Sequence, residues 1–129
     1  MSTPGHAHAT DRKLTEEEIH ELRERVKAFM VEHIYPNEAF FHEHFPRKSA
    51  EGAALMKELQ AKTKGMGMWA PHLPGEAGGM GIGFLKHAYM NEILAWSPYS
   101  NSLFGILAPN SGNQKILVKY GTPEQKKKW

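Results

Sequence analysis

Seven of the twelve glycines fall within residues 65–83, Gly-Met-Gly-Met-Trp-Ala-Pro-His-Leu-Pro-Gly-Glu-Ala-Gly-Gly-Met-Gly-Ile-Gly. Glycine at this density can bring backbone amides against a phosphate, and Gly65-Met66-Gly67-Met68-Trp69-Ala70 formally fits the Gly-x-Gly-x-x-Ala pattern. A dinucleotide fingerprint must follow a strand and open a helix, whereas this one follows a helical pattern, so the match lacks its context. No Gly-Lys-Ser/Thr is present, which removes the P-loop alternative. The stretch reads instead as an ordered apolar connector. Met66, Met68, Trp69, Leu73, Met80 and Ile82 give neighbouring helices something to pack on, and the glycines permit tight turns and close backbone approach.

Other groups capable of chemistry are weaker candidates. Glu16, Glu17 and Glu18 stand together, but behind Thr15 they form the acidic first turn of a helix. Thr15 and Glu18 complete a capping box there, with Leu14 and Ile19 as its hydrophobic staple. His6 and His8 have no further ligand spaced to close a metal site. His42 and His44 are two apart and point to different sides of a helix, without the His-Glu-x-x-His spacing of helical metalloproteases. Glu92 falls near the apolar side of its helix; a buried glutamate needs a partner, and it reads either as a cap or backbone ligand or as a general base. Lys126, Lys127 and Lys128 read as a solvated face, since three lysines fall short of a polybasic cluster. With no cysteine, neither a thiol nucleophile nor a Cys-type zinc site is available.

The elements that would position these groups are helical. Ile19, Leu22, Val26, Phe29, Met30 and Ile34 recur at spacings of three and four, and Pro36 ends or kinks that helix near Tyr35. Helix resumes through Phe41 and Phe45, breaks at Pro46-Arg47-Lys48, and starts again behind Ser49 with Leu55, Met56 and Leu59 inward and Gly65 as its stop signal. After the glycine-rich connector, Phe84, Leu85, Ala88, Tyr89, Ile93, Leu94 and Trp96 form a third stripe. Asn101 or Ser102 caps a fourth helix through Leu103, Phe104, Ile106 and Leu107, interrupted at Pro109. Ile116, Leu117 and Val118 continue the apolar pattern, and Thr122-Pro123-Glu124 opens a last helix that reads as cut short at Trp129. The fold class is therefore all-α, a helical bundle with a long Gly/Pro-rich loop between its second and third helices. Residues 1–12 form a flexible tail and residues 13–129 one domain, long enough to bury about two thirds of its unfolded surface. A net charge of +2, with both signs interspersed, does not imply nucleic acid. No apolar run approaches the roughly 20 residues of a bilayer span, and no signal-type segment opens the chain, so it reads as soluble and unexported, cytoplasmic first with mitochondrial and peroxisomal locations as alternatives.

Two segments carry a family resemblance. Gly67-Met68-Trp69-Ala70-Pro71-His72-Leu73-Pro74-Gly75-Glu76-Ala77-Gly78-Gly79-Met80-Gly81 resembles the Pro-x-x-x-Gly-Gly-x-Gly loop of the N-terminal helical domain of acyl-CoA dehydrogenases. Tyr120-Gly121-Thr122-Pro123-Glu124-Gln125-Lys126-Lys127-Lys128-Trp129 is similar to the segment just before that family's flavin-binding β-domain. The preceding Ala108-Pro109-Asn110-Ser111-Gly112-Asn113 resembles the branch that includes long-chain members, and Ala77 departs from the aromatic that many members carry before the paired glycines.

For an intact protein the resemblance implies FAD, an acyl-CoA substrate, α-proton removal by a carboxylate with hydride transfer to the flavin, electron-transfer flavoprotein or a similar acceptor, and a homo-oligomer. Leu103, Phe104, Gly105, Leu107 and Ala108 occupy the region that lines the acyl-chain pocket in relatives, with plain core packing as the competing role. The β-domain and the catalytic carboxylate would lie beyond Trp129, so no catalytic residue is expected in this chain. Alone it is expected to be inactive and not to hold flavin firmly. The competing reading is a non-catalytic helical interaction module.

Overall fold

The computed structural model describes residues 15–44 and 49–129. The expected tail, the staple residue Leu14, Phe45 and the Pro46-Arg47-Lys48 break lie outside the described residues. The described chain contains helices and turns and no strand, as expected of an all-α domain.

Helix α1 (Glu16–Phe29) opens on the expected capping box, with Thr15 Oγ1 accepting from the Glu18 amide and the Glu18 carboxylate accepting from the Thr15 amide, both at 3.2 Å. Leu22, Val26, Phe29, Met30 and Ile34 are buried along one stripe. The regular helix is interrupted at Tyr35-Pro36, where the proline is expected to end or kink it. The backbone widens into a π-helical segment (Met30–Ile34), tightens into a 3-10 turn (Tyr35–Asn37), and continues as α2 (Glu38–Glu43). A proline ring clashes with the carbonyl four residues back, and widening the preceding turn moves that carbonyl aside.

Helix α3 (Ala50–Gly65) is capped by Ser49, whose Oγ accepts from the Gly52 amide at 3.0 Å. Its C-terminus differs from expectation by two residues. Gly65 is the last helical residue, and Gly67, at φ +69°, is the left-handed one. The Met68 amide donates to Thr63 O and the Gly67 amide to Lys64 O, which is the double bond pattern of a Schellman motif.

The connector folds back on itself through backbone bonds. Leu73 and Met80 amides donate to Ala70 O, Gly81 to Leu73 O, and Gly79 to Pro74 O. Met68, Ala70 and Leu73 are buried, so the connector contributes to the core.

Helix α4 (Gly83–Leu94) packs against α1. Met90, Ile93 and Leu94 form its buried face, whereas Phe84, Leu85, Tyr89 and Trp96 are exposed. The expected stripe runs through apolar residues of both kinds; only the side against α1 finds a partner surface. The short α5 (Ser100–Leu103) has Tyr99 at its cap position, two or three residues before the expected Asn101 or Ser102, has no side-chain cap, and ends before Phe104, Ile106 and Leu107. Helix α6 (Asn110–Tyr120) and α7 (Pro123–Lys128) follow, the latter with a full capping box between Thr122 and Gln125. The core joins Leu22, Val26, Phe29, Met30 and Ile34 to Phe41, Leu59, Met68, Met90, Ile93, Leu94, Leu103 and Phe104. Each such aliphatic or aromatic side chain contributes about 1.5–3 kcal/mol by leaving water.

Candidate functional site

The segment after α5 is held by an unusual set of hydrogen bonds. A four-residue helix cannot satisfy its own last carbonyls. Gln60 Nε2 donates to Ser102 O at 3.0 Å, Thr63 Oγ1 to Leu103 O at 2.9 Å, and the Ala70 amide to Phe104 O at 2.8 Å. Three successive carbonyls are thus tied to α3 and to the connector. Gly105 then turns the chain at φ +72°, and the Ile106 amide closes back on Asn101 O at 2.9 Å. A side chain at 105 would meet the Trp69 indole at 2.7 Å, so only glycine fits both the turn and the ring.

The residues expected to line an acyl chain divide along this segment. Leu103 and Phe104 are fully buried, and Phe104 packs edge-to-face on Phe29 with ring centroids 5.2 Å apart. Gly105 lies against Trp69, while Leu107 and Ala108 are exposed. Glu92 is not near the apolar side. Its carboxylate is largely exposed and pairs with Arg23 Nη1 at 2.6 Å, which holds it below the usual carboxylate range. A carboxylate already bound to a guanidinium in water is a poor general base, so Glu92 fastens α4 to α1.

Beside the segment, between the connector, α4 and α6, lies a cavity of about 460 Å³ whose lining includes His72, His87, Asn91, Asn101, Ile106 and Lys115. His72 Nε2 is 2.9 Å from Gln114 Oε1, and the two imidazole centroids are 6.0 Å apart. His72 Nδ1 and His87 Nε2 are buried without a hydrogen-bond partner. Burial pushes the His72 ring below the ordinary histidine value, the hydrogen bond to Gln114 opposes the shift, and Lys115 adds repulsion. His87 is lowered by burial first, then by His72 and Lys115, against a hydrogen bond with Asn91. Among the described residues no three His, Cys, Asp or Glu side chains gather to hold a metal.

No sequence pattern singles out His72 and His87 as a pair. The available signal was local: His87 and Asn91 stand one turn apart on α4, as do Ser111 and Lys115 on α6, so each helix shows a polar stripe. Nothing in the sequence placed His72 between them.

Comparison with known proteins agrees with the helical architecture. The family model described as acyl-CoA dehydrogenase, N-terminal domain, matches residues 16–129, and the chain belongs to that family. Acyl-CoA dehydrogenase family member 10 of Mus musculus is 33% identical over 86% of this chain and 11% of its own length. The probable acyl-CoA dehydrogenase FadE2 of Mycobacterium tuberculosis is 30% identical over 84% of this chain and 27% of its own length. The chain therefore spans about a tenth to a quarter of these relatives. No solved structure matches it.

Proposed function

We propose that this chain is the N-terminal helical portion of a flavin-dependent acyl-CoA dehydrogenase that performs α,β-dehydrogenation of acyl-CoA thioesters, and that Leu103, Phe104, Gly105, Leu107 and Ala108 form part of its acyl-chain pocket. The observation that carries the reading is the family match over residues 16–129. The exposed Leu107 and Ala108 form the contacting surface, Gly105 lets the chain turn tightly beside Trp69, and the buried Leu103 and Phe104 hold that surface from behind. An apolar wall on a rigid support is what an aliphatic chain requires.

Within the glycine-rich connector the amides of Gly67, Met68, Gly78, Gly79 and Gly81 are spent on internal carbonyls, which leaves these five no part in cradling a phosphate. Flavin, the catalytic carboxylate, the contacts with electron-transfer flavoprotein or a similar acceptor, and homo-oligomer contacts belong in this proposal to the remainder of the longer protein.

The test is twofold. The longer protein is expected to oxidise acyl-CoA thioesters with an artificial electron acceptor, and L107W is expected to shift its chain-length preference toward shorter acyl groups. The purified 129-residue chain is expected to show no bound-flavin absorbance and no turnover. A longer protein that binds neither flavin nor thioester would overturn the reading in favour of a helical interaction module.

A further inference from the structure

We propose that the cavity between the connector, α4 and α6 is a binding site for a small oxyanion, one carboxylate or phosphate group, received by His72, His87 and Lys115. Three groups that carry or can take positive charge line it, no acidic residue does, and Asn91, Asn101 and Ser111 add neutral donors around them. A buried polar atom without a partner costs free energy, and here two imidazole nitrogens are left in that state on neighbouring rings.

The ring chemistry gives those nitrogens a use. His72 Nε2–H donates to the Gln114 carbonyl oxygen, so in the neutral ring Nδ1 carries only a lone pair. His87 Nε2 is likewise buried without a partner on the neighbouring ring. Protonation turns both free nitrogens into N–H donors while the existing bonds persist. That step is opposed by burial and by the repulsion among His72, His87 and Lys115. An anion removes the opposition and accepts from the new donors, so its binding draws protons onto the rings.

A transition metal is a poorer fit, because among the described residues no third ligand of the usual types joins the pair and protein zinc sites take at least three. The titratable or charged groups facing the rings are His72 from the connector, His87 from α4 and Lys115 from α6; the neighbouring Gln114, Asn91, Asn101 and Ser111 do not titrate. The volume exceeds that of a free ion and admits an anion carried on a larger molecule. The proposal goes beyond the acyl-CoA reading and does not rest on it.

The experiment follows the histidine ring resonances of the 129-residue chain by NMR during separate additions of inorganic phosphate and acetate, with chloride holding ionic strength constant. His72 and His87 are expected to shift saturably while the exposed His42 stays in place. Affinity is expected to be about tenfold higher near pH 6 than near pH 7.5, because binding takes up protons. H87Q is expected to abolish the saturable shift. K115M, at an exposed helix position that leaves the helical circular dichroism unchanged, is expected to weaken binding about fivefold or more. Saturation by phosphate alone identifies a phosphate-type ligand, by acetate alone a carboxylate, and by both a general oxyanion site. The absence of saturation with either ion, equal movement of His42, or full retention of binding in K115M would overturn the proposal. None of these readouts requires flavin or a thioester, so failure leaves the family assignment intact.

Discussion

The two ends of this domain carry equally good local signals and very different packing. Helix α1 begins with a Thr15–Glu18 capping box and α7 with a Thr122–Gln125 capping box. Beyond its cap, α1 buries Leu22, Val26 and Phe29 in the core, whereas α6 and α7 together bury no residue fully. Ile116, Tyr120 and Trp129 are 61%, 71% and 81% exposed. The contrast separates two contributions. Capping decides where a helix starts and is worth about 1 kcal/mol, whereas the surface available to bury decides whether that helix supports the domain.

Breaking the packed end should cost most. F104A removes a fully buried ring from the contact with Phe29 and is expected to lower unfolding free energy by about 3–5 kcal/mol, measured by urea denaturation. G105A leaves the side chains of the core in place but sets a Cβ against the Trp69 indole at a positive φ. A loss of about 2–3 kcal/mol in the same assay is expected, and a wild-type midpoint would show that the α5–connector junction does not support the fold.

A pH titration sharpens the contrast at intermediate cost. His72 and His87 are held below their ordinary value of 6.5, so the unfolded chain binds more protons than the folded one as pH falls through that region. Stability from this source is complete above about pH 6.5 and is lost as pH falls toward the lowered folded values. The double variant H72Q/H87Q is expected to flatten that slope in denaturation midpoints measured across the range.

The caps give a direct comparison. T15A is expected to cost about 1 kcal/mol of global stability. T122A should reduce helical ellipticity slightly and leave the unfolding midpoint unmoved, because α7 has little tertiary packing to transmit the change. The smallest effect belongs to I116S, expected within about 0.5 kcal/mol of wild type. A larger loss in I116S would mean that α6 contributes to the core more than its exposure indicates.

The starts of α1, α3 and α7 and the α1 stripe are legible in the sequence because their causes are local: a capping side chain three residues from its amide, or an apolar side chain every three or four residues. The α4 stripe is not, since Phe84 and Leu85 are as apolar as Ile93 and Leu94 and only the position of α1 distinguishes them. Glu92 was misplaced for the same reason; its partner Arg23 lies 69 residues away in the chain. Residues 103–108 were reached through resemblance. The carbonyl ties from Gln60, Thr63 and Ala70 that hold them span more than thirty residues and leave no periodic trace. His72 and His87 meet by tertiary folding alone.

The Trp69 indole stands against Gly105 on one side and has the Lys64 ammonium 4.4 Å from its ring centroid. Trp96 and Trp129 are 54% and 81% exposed, so their emission reports mainly on water. Trp69 is the half-buried chromophore of the set, beside a cation and at the joint between connector and α5. Its fluorescence is therefore a built-in optical gauge of whether that joint is seated, readable without a label and separable from the other two by W96F/W129F.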